Sequence, residues 1–226
     1  MEKQFRTPYG DRFFRLASDL LREARDASEL AKAMTTYVDA ADAEAGAGGE
    51  FQTACRSGCP HCCVLNVSVL LSEAVSIAVR LSEKRPADEL ARIVSRLDTH
   101  HRRVRWMENG ERVRLRIGCP FLDARGDCTI HPYRPMACRG LTSLDPELCK
   151  AALDPFDPDA PGFIPMDIHR KIVMEDAYLA MAGAMAGRGM EPRCIELSAG
   201  VWTFLAAPHL CGLLLAGGRF PSSAWD

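Results

Sequence analysis

Apolar residues recur at helical spacing along most of the chain. Leu16, Leu20, Leu30, Met34 and Val38 alternate with charged positions, which predicts one long helix over 11–45. The run Glu44-Ala-Gly-Ala-Gly-Gly-Glu50 stops it with consecutive glycines. Leu65 to Leu70 is short and β-branched, and Ser72 is placed to cap a helix reaching about Lys84. Pro86 suits the first position of a second helix that runs to Asn109-Gly110, where the pattern breaks. Gly118 to Arg139 reads as loop, and Asp154 to Pro165, with four prolines, as a linker or surface loop. Asp167 to Ala186 is helical again. Leu197 to Gly218 lacks Asp, Glu, Lys and Arg over 22 residues, long enough to test as a membrane span. Pro208 and four glycines interrupt it, so it reads as two short buried helices broken near Pro208. The expectation is a mostly α protein with little strand. It is a single helical domain over 1–226, in which a cysteine-cluster core (55–149) lies between an N-terminal helix (11–45) and C-terminal helices (167–216).

Composition narrows this little. With 226 residues, 47% hydrophobic and 26% charged, the chain is ordinary globular material and long enough to build a core without disulfides. A net charge of −2 and 7% aromatics argue against a nucleic-acid partner. The N-terminal stretch MEKQFRTPYGDRFFR has no apolar signal region, so a cytoplasmic, reducing environment and no membrane partner are expected.

The ten cysteines change the picture. The first group is Cys55-Arg-Ser-Gly-Cys59-Pro-His-Cys62-Cys63, in which Cys59 and Cys62 have the spacing that lets two thiolates face one ion across a tight turn. The second comprises Cys119, Cys128, Cys138 and Cys149. A helical hairpin between the groups would bring all eight together. Adjacent side chains point apart, so the vicinal Cys62 and Cys63 suggest a bystander thiol, two metal positions or a polynuclear cluster. Thiolates select zinc, copper(I) or iron–sulfur clusters over magnesium or calcium. His61 and His131 lie within the loops and could replace a thiolate. Arg56, Arg125, Arg134 and Arg139 are interleaved with the cysteines and could lower thiol pKa values. Cys194 and Cys211 sit in apolar context and read as small buried hydrophobes.

These residues resemble the YkgJ-type cysteine-cluster proteins, the CxxCxxCC zinc- or iron-chelating family. The likeness is carried by Cys55-x-x-Gly58-Cys59-x-x-Cys62-Cys63, Val67-Ser68 and Glu73-Ala74, then Cys119-Pro-Phe-Leu-Asp, Gly126-x-Cys128, Ile130, Arg134-Pro135, Cys138-Arg139 and Cys149. The first gap is one residue longer than the family name implies. The resemblance implies metal binding through Cys55, Cys59, Cys62, Cys63, Cys119, Cys128, Cys138 and Cys149, with an iron–sulfur cluster or iron, alternatively zinc, as the cofactor. It says little about a reaction. A redox or protein-modifying enzyme is one expectation, and a structural zinc module that presents a partner-binding surface is the other.

Elsewhere the signals are weaker. His100 to Arg116 carries six arginines against Glu108 and Glu111, either a docking face for an anionic partner or a solvated helix end that offsets thiolate charge. His100 and His101, like Glu175 and Asp176, read as exposed polar residues. The chain has no P-loop, G-x-G-x-x-G, G-x-S-x-G or H-E-x-x-H, and spacing alone assigns no catalytic residue.

Overall fold

The computed structural model describes residues 8–48, 53–154 and 163–220. Most of the predicted loop at Asp154 to Pro165 lies outside them. Helix α1 (Pro8–Glu23) buries Phe13, Ala17 and Leu21, a stripe offset by one position from the half-buried Leu16 and Leu20. Helix α2 (Ala27–Ala47) buries Leu30, Met34 and Val38 as expected, together with Tyr37 and Ala41.

The expected single helix over 11–45 is therefore two. The break is a reciprocal cap. The Asp26 carboxylate accepts the Glu29 N–H at 2.8 Å, and the Glu29 carboxylate accepts the Arg25 N–H at 2.7 Å. The Ala24 carbonyl left over at the end of α1 accepts from Arg188 at 2.8 Å. Separating the helices lets α1 lie along α8 (Ile168–Gly187) while α2 packs on both α8 and α3 (Leu71–Lys84).

Two three-residue strands, β1 (Ser68–Leu70) and β2 (Cys194–Glu196), pair antiparallel with Val69 opposite Ile195. They bring the C-terminal helix α9 (Leu197–Ala206) back onto α3. The approach is close at Gly200, where a Cβ would stand 3.0 Å from the Ala74 Cβ and 2.9 Å from Ile195. Helix α10 (Leu210–Leu215) follows after Pro208, so the apolar C-terminal segment is two short helices, as its pattern predicts. Among the described residues no helix is long and apolar enough to cross a membrane.

Between these elements the pattern misleads in three places. Ser72 does not cap α3; its hydroxyl is buried without a hydrogen-bond partner among the described residues, and the Glu73 carboxylate serves the end instead, accepting the Leu70 N–H at 3.0 Å. The helix after Pro86, α4 (Ala87–Val104), ends five residues before Asn109, and Asn109-Gly110 opens a short helix α5 (Asn109–Arg114) instead of breaking one. Its entry is closed by Glu111, whose carboxylate accepts the Glu108 N–H at 3.0 Å. Within the expected loop Gly118 to Arg139, the short helix α6 (Met136–Gly140) forms behind Pro135. Helix α7 (Pro146–Ala152) is capped by Asp145.

One hydrophobic core runs through α1, α2, α3, α8 and α9. The Tyr37 hydroxyl is buried in it and donates to the Ala177 carbonyl at 2.6 Å, joining α2 to α8. The result is a mostly α architecture with a two-stranded sheet.

Candidate metal centre

The thiols are carried by three short segments on one flank of this core. Cys55 and Cys59 lie on the loop that turns at Gly58, and Cys62 and Cys63 on a 3-10 turn (His61–Val64). Cys119 and Cys128 bracket a small bridged loop, Leu122 opposite Cys128. Cys138 is on α6 and Cys149 on α7.

The segments are fastened backbone to backbone. Cys119 N–H donates to the Cys63 carbonyl at 2.7 Å, and Ala54 N–H to the Ser143 carbonyl at 2.8 Å. Ser143 N–H in turn points at the Cys55 sulfur, 3.4 Å away. The first two loops meet glycine to glycine. Gly58 and Gly126 both have φ near +80°, and a Cβ on Gly126 would sit 3.5 Å from the Gly58 carbonyl oxygen. Positive φ is strained for any L side chain, so both turns require glycine.

Buried polar groups hold α6 in place. The Glu73 carboxylate, on α3, accepts the Met136 N–H at 2.8 Å and so fixes the start of the helix that bears Cys138. Arg139 donates to the carbonyls of Arg134 (2.8 Å) and Pro132 (2.7 Å) and pairs with Asp42 of α2. Asp42 also binds Arg170 of α8 at 2.9 Å. Thus α2, α6 and α8 share one carboxylate. Burial raises the Glu73 pKa to about 7, against its two backbone N–H donors and nearby Arg139.

The eight loop cysteines converge electrostatically. The Cys63 thiol hydrogen-bonds the Cys62 sulfur, which lowers the Cys62 pKa to about 7 and raises that of Cys63. Cys63 also feels Cys119 and Cys138, and Cys138 feels Cys62, Cys119 and Cys128. Burial pushes Cys119 up to about 12 and drives Cys128 and Cys138 upward too. Cys149, raised chiefly by burial, feels Cys55, Cys59 and Cys62, so Cys62 joins the outer thiols to the inner group. All eight are free and reduced. Among the described residues, no three Cys, His, Asp or Glu side chains already stand in a finished ion-binding arrangement. The donor set fits a soft metal all the same: part-buried thiols raise one another's pKa, and a cation is what makes neighbouring thiolates tolerable in low dielectric.

The flanking charges are fewer than the sequence suggests. Of the four interleaved arginines, Arg134 acts on Cys62, Cys128 and Cys138. Arg139 is spent on Asp42 and backbone carbonyls, and Arg125 pairs with Asp123 and Asp127 at the surface. His131 lies among Arg134, Arg139 and Asp42, and burial followed by the two guanidinium groups lowers its pKa. Cys194 is exposed on β2, not buried as its apolar context suggests, and Cys211 is buried as expected.

Arg112 is a site residue that the sequence hides. Within a stretch read as a docking face or a solvated helix end, it is 2% exposed. It donates to Glu196 at 3.1 Å and to Asn66 at 3.2 Å. The pair borders Cys119, where Glu196 opposes ionisation of the thiol and Arg112 favours it. Glu196 also caps α9, accepting the N–H groups of Ser198 and Ala199. His100 and His101 are likewise not exposed. Ile93, Leu97, His101 and Val104 form the face of α4 that packs on α9. His101 stacks on Trp202 at 5.9 Å, and His100 Nδ1 lies 3.0 Å from the Ser198 hydroxyl. The only sequence signal was the spacing of four, which places His101 below Leu97.

No curated protein and no solved structure matches the chain. Residues 54–153 match the family model described as CxxCxxCC, putative zinc- or iron-chelating domain. The match begins one residue before Cys55 and ends beyond Cys149, enclosing every thiol of the convergent group and stopping short of Cys194. The thiol-bearing segment of this chain, 54–153, is thus similar to the CxxCxxCC domains, over somewhat less than half of the chain.

Proposed function

We propose that the eight convergent thiols bind metal, with an iron–sulfur cluster or iron as the occupant, and that the chain serves redox or protein-modifying chemistry in a reducing compartment such as the cytoplasm. The carrying observation is the excess of donors. Cys62, Cys63, Cys119, Cys128 and Cys138 form one mutually interacting, part-buried group, and Cys55, Cys59 and Cys149 adjoin it. A single structural zinc is satisfied by four ligands. More than four thiols within electrostatic reach of one another favour a polynuclear centre. Such a centre, when bound, supplies one-electron chemistry. This chain's own part is to hold the ligands. Gly58 and Gly126 close the loops, Glu73 and Arg139 fix α6 under Cys138, and Arg134 and Arg112 offset thiolate charge.

A second reading, structural zinc beneath a partner-binding surface, is favoured by Trp106. It is 79% exposed, lies under the Arg105 guanidinium at 5.1 Å, and follows α4, whose other face packs on α9. Elemental analysis with a visible spectrum, on protein expressed with iron and purified without oxygen, separates the two. Iron with acid-labile sulfide and broad visible absorption, bleached in Cys138→Ser but not in Cys194→Ser, is the expected result. Colourless protein with tightly held zinc supports the second reading. Protein that retains neither metal refutes both.

A further inference from the structure

Helix α4 carries a second chemical feature on its exposed side. Arg92, Ser95, Arg96, Thr99 and Arg103 are all exposed and recur at intervals of three and four, one stripe along the helix. Together with His100 and Pro120 they line a groove of about 430 Å³. That volume is in the range of small-molecule sites. Its charge is one-sided. Arg92 pairs with Asp88 and Arg102 with Asp98, but neither carboxylate lines the groove, and Arg96 and Arg103 make no ion pair among the described residues. The two free guanidinium groups are seven residues apart, about 10 Å along the axis, within reach of one ligand between them. Ser95 adds a hydroxyl, and His100 is steadied by the Ser198 hydroxyl beneath it. The far wall is Pro120, the residue after Cys119.

We propose that this groove binds a small organic phosphate, its phosphate group held between Arg96 and Arg103, against the loop that carries Cys119. Forked guanidinium donors match phosphate oxygens two at a time, which a scatter of lysines does not. A nucleic acid is disfavoured because the stripe covers one face of one helix on a chain of net charge −2, too short a track for a row of phosphates. The proposal is independent of which metal the thiols hold.

The test is calorimetric titration of the full chain with pyrophosphate at constant ionic strength, in parallel with R96Q/R103Q and with R114Q, which removes an exposed charge outside the groove. Saturable one-site binding is expected, weakened at least tenfold in R96Q/R103Q and unchanged in R114Q. Both substitutions are on exposed helix positions, and an unchanged melting temperature establishes that the variants fold. Absence of saturable binding, a weakening in R96Q/R103Q of less than tenfold, or an equal loss in R114Q overturns the proposal. So does a single-stranded RNA that binds the chain and is not displaced by excess pyrophosphate.

Discussion

Replacing Arg112 by methionine tests whether the buried ion pair beside Cys119 is structural. Methionine keeps most of the stem volume and removes the guanidinium. What is left behind is Glu196, 16% exposed at its side chain, and the Asn66 amide, each without its partner. Breaking a buried pair by deleting one member costs about 3–5 kcal/mol. Glu196 keeps the N–H donors of Ser198 and Ala199 and some solvent, so the low end applies, about 3 kcal/mol. For a chain of this size that lowers the melting temperature by roughly 6–12 °C. The double variant Arg112→Met/Glu196→Gln removes the orphaned charge as well. It should regain about 1–2 kcal/mol over the sum of the two single losses, because residues in one network do not add. Chemical unfolding of wild type, both singles and the double gives the coupling directly. A loss below about 1 kcal/mol for the single, or additivity to within about 0.5 kcal/mol, refutes the reasoning. Metal retention supplies an independent reading. With Arg112 gone, the Glu196 carboxylate stands unopposed beside Cys119, and the variant should release metal to a chelator faster than wild type.

Two further outcomes are expected. Burial holds the Glu73 pKa at about 7, above its ordinary 4.5, so the folded chain binds an extra proton between those values. Its contribution to stability is complete below pH 4.5 and is lost as pH rises through 7, about 3 kcal/mol in all; unfolding free energies of wild type and Glu73→Gln measured from pH 4 to 8 should differ by this slope, and parallel curves would dismiss it. Gly200→Ala gains about 1 kcal/mol of helix propensity but inserts a methyl 3.0 Å from the Ala74 Cβ between α3 and α9. Overpacking of this kind costs about 1–3 kcal/mol, so a net loss near 1 kcal/mol is expected by urea denaturation, and a variant more stable than wild type would show that the two helices part freely.

What the sequence revealed and what it concealed divide along physical lines. Helix α8 and the break at Pro208 were legible because periodicity and proline act locally. The cysteine loops were legible because thiols gathered at glycine and proline turns have few uses other than ligation. The split between α1 and α2 was also written locally, in Asp26 and Glu29, but the apolar spacing continued across it and masked the cap. The burial of His101 and Arg112 was not local at all. Each is made by a partner far along the chain, Trp202 for one and Glu196 for the other, and neither partner carries a pattern that points back. The hidden residues are therefore those that join α4 and α5, between the two cysteine groups, to β2 and α9.

That joining sets an order of events during synthesis. The last thiol of the cluster, Cys149, is translated before any residue of α8 or α9, yet α6 leans on α8 and the first thiol loop leads into a strand that pairs with β2. At typical elongation speeds the intervening fifty-odd residues take on the order of several seconds to appear. For that interval eight thiols are made but their platform is unfinished. A nascent chain exposed to oxidant then has time to form the wrong bonds, and a metal offered early meets loops not yet fastened to a core. The platform beneath Cys138 and beside β1 is complete only once α8 and β2 have been made.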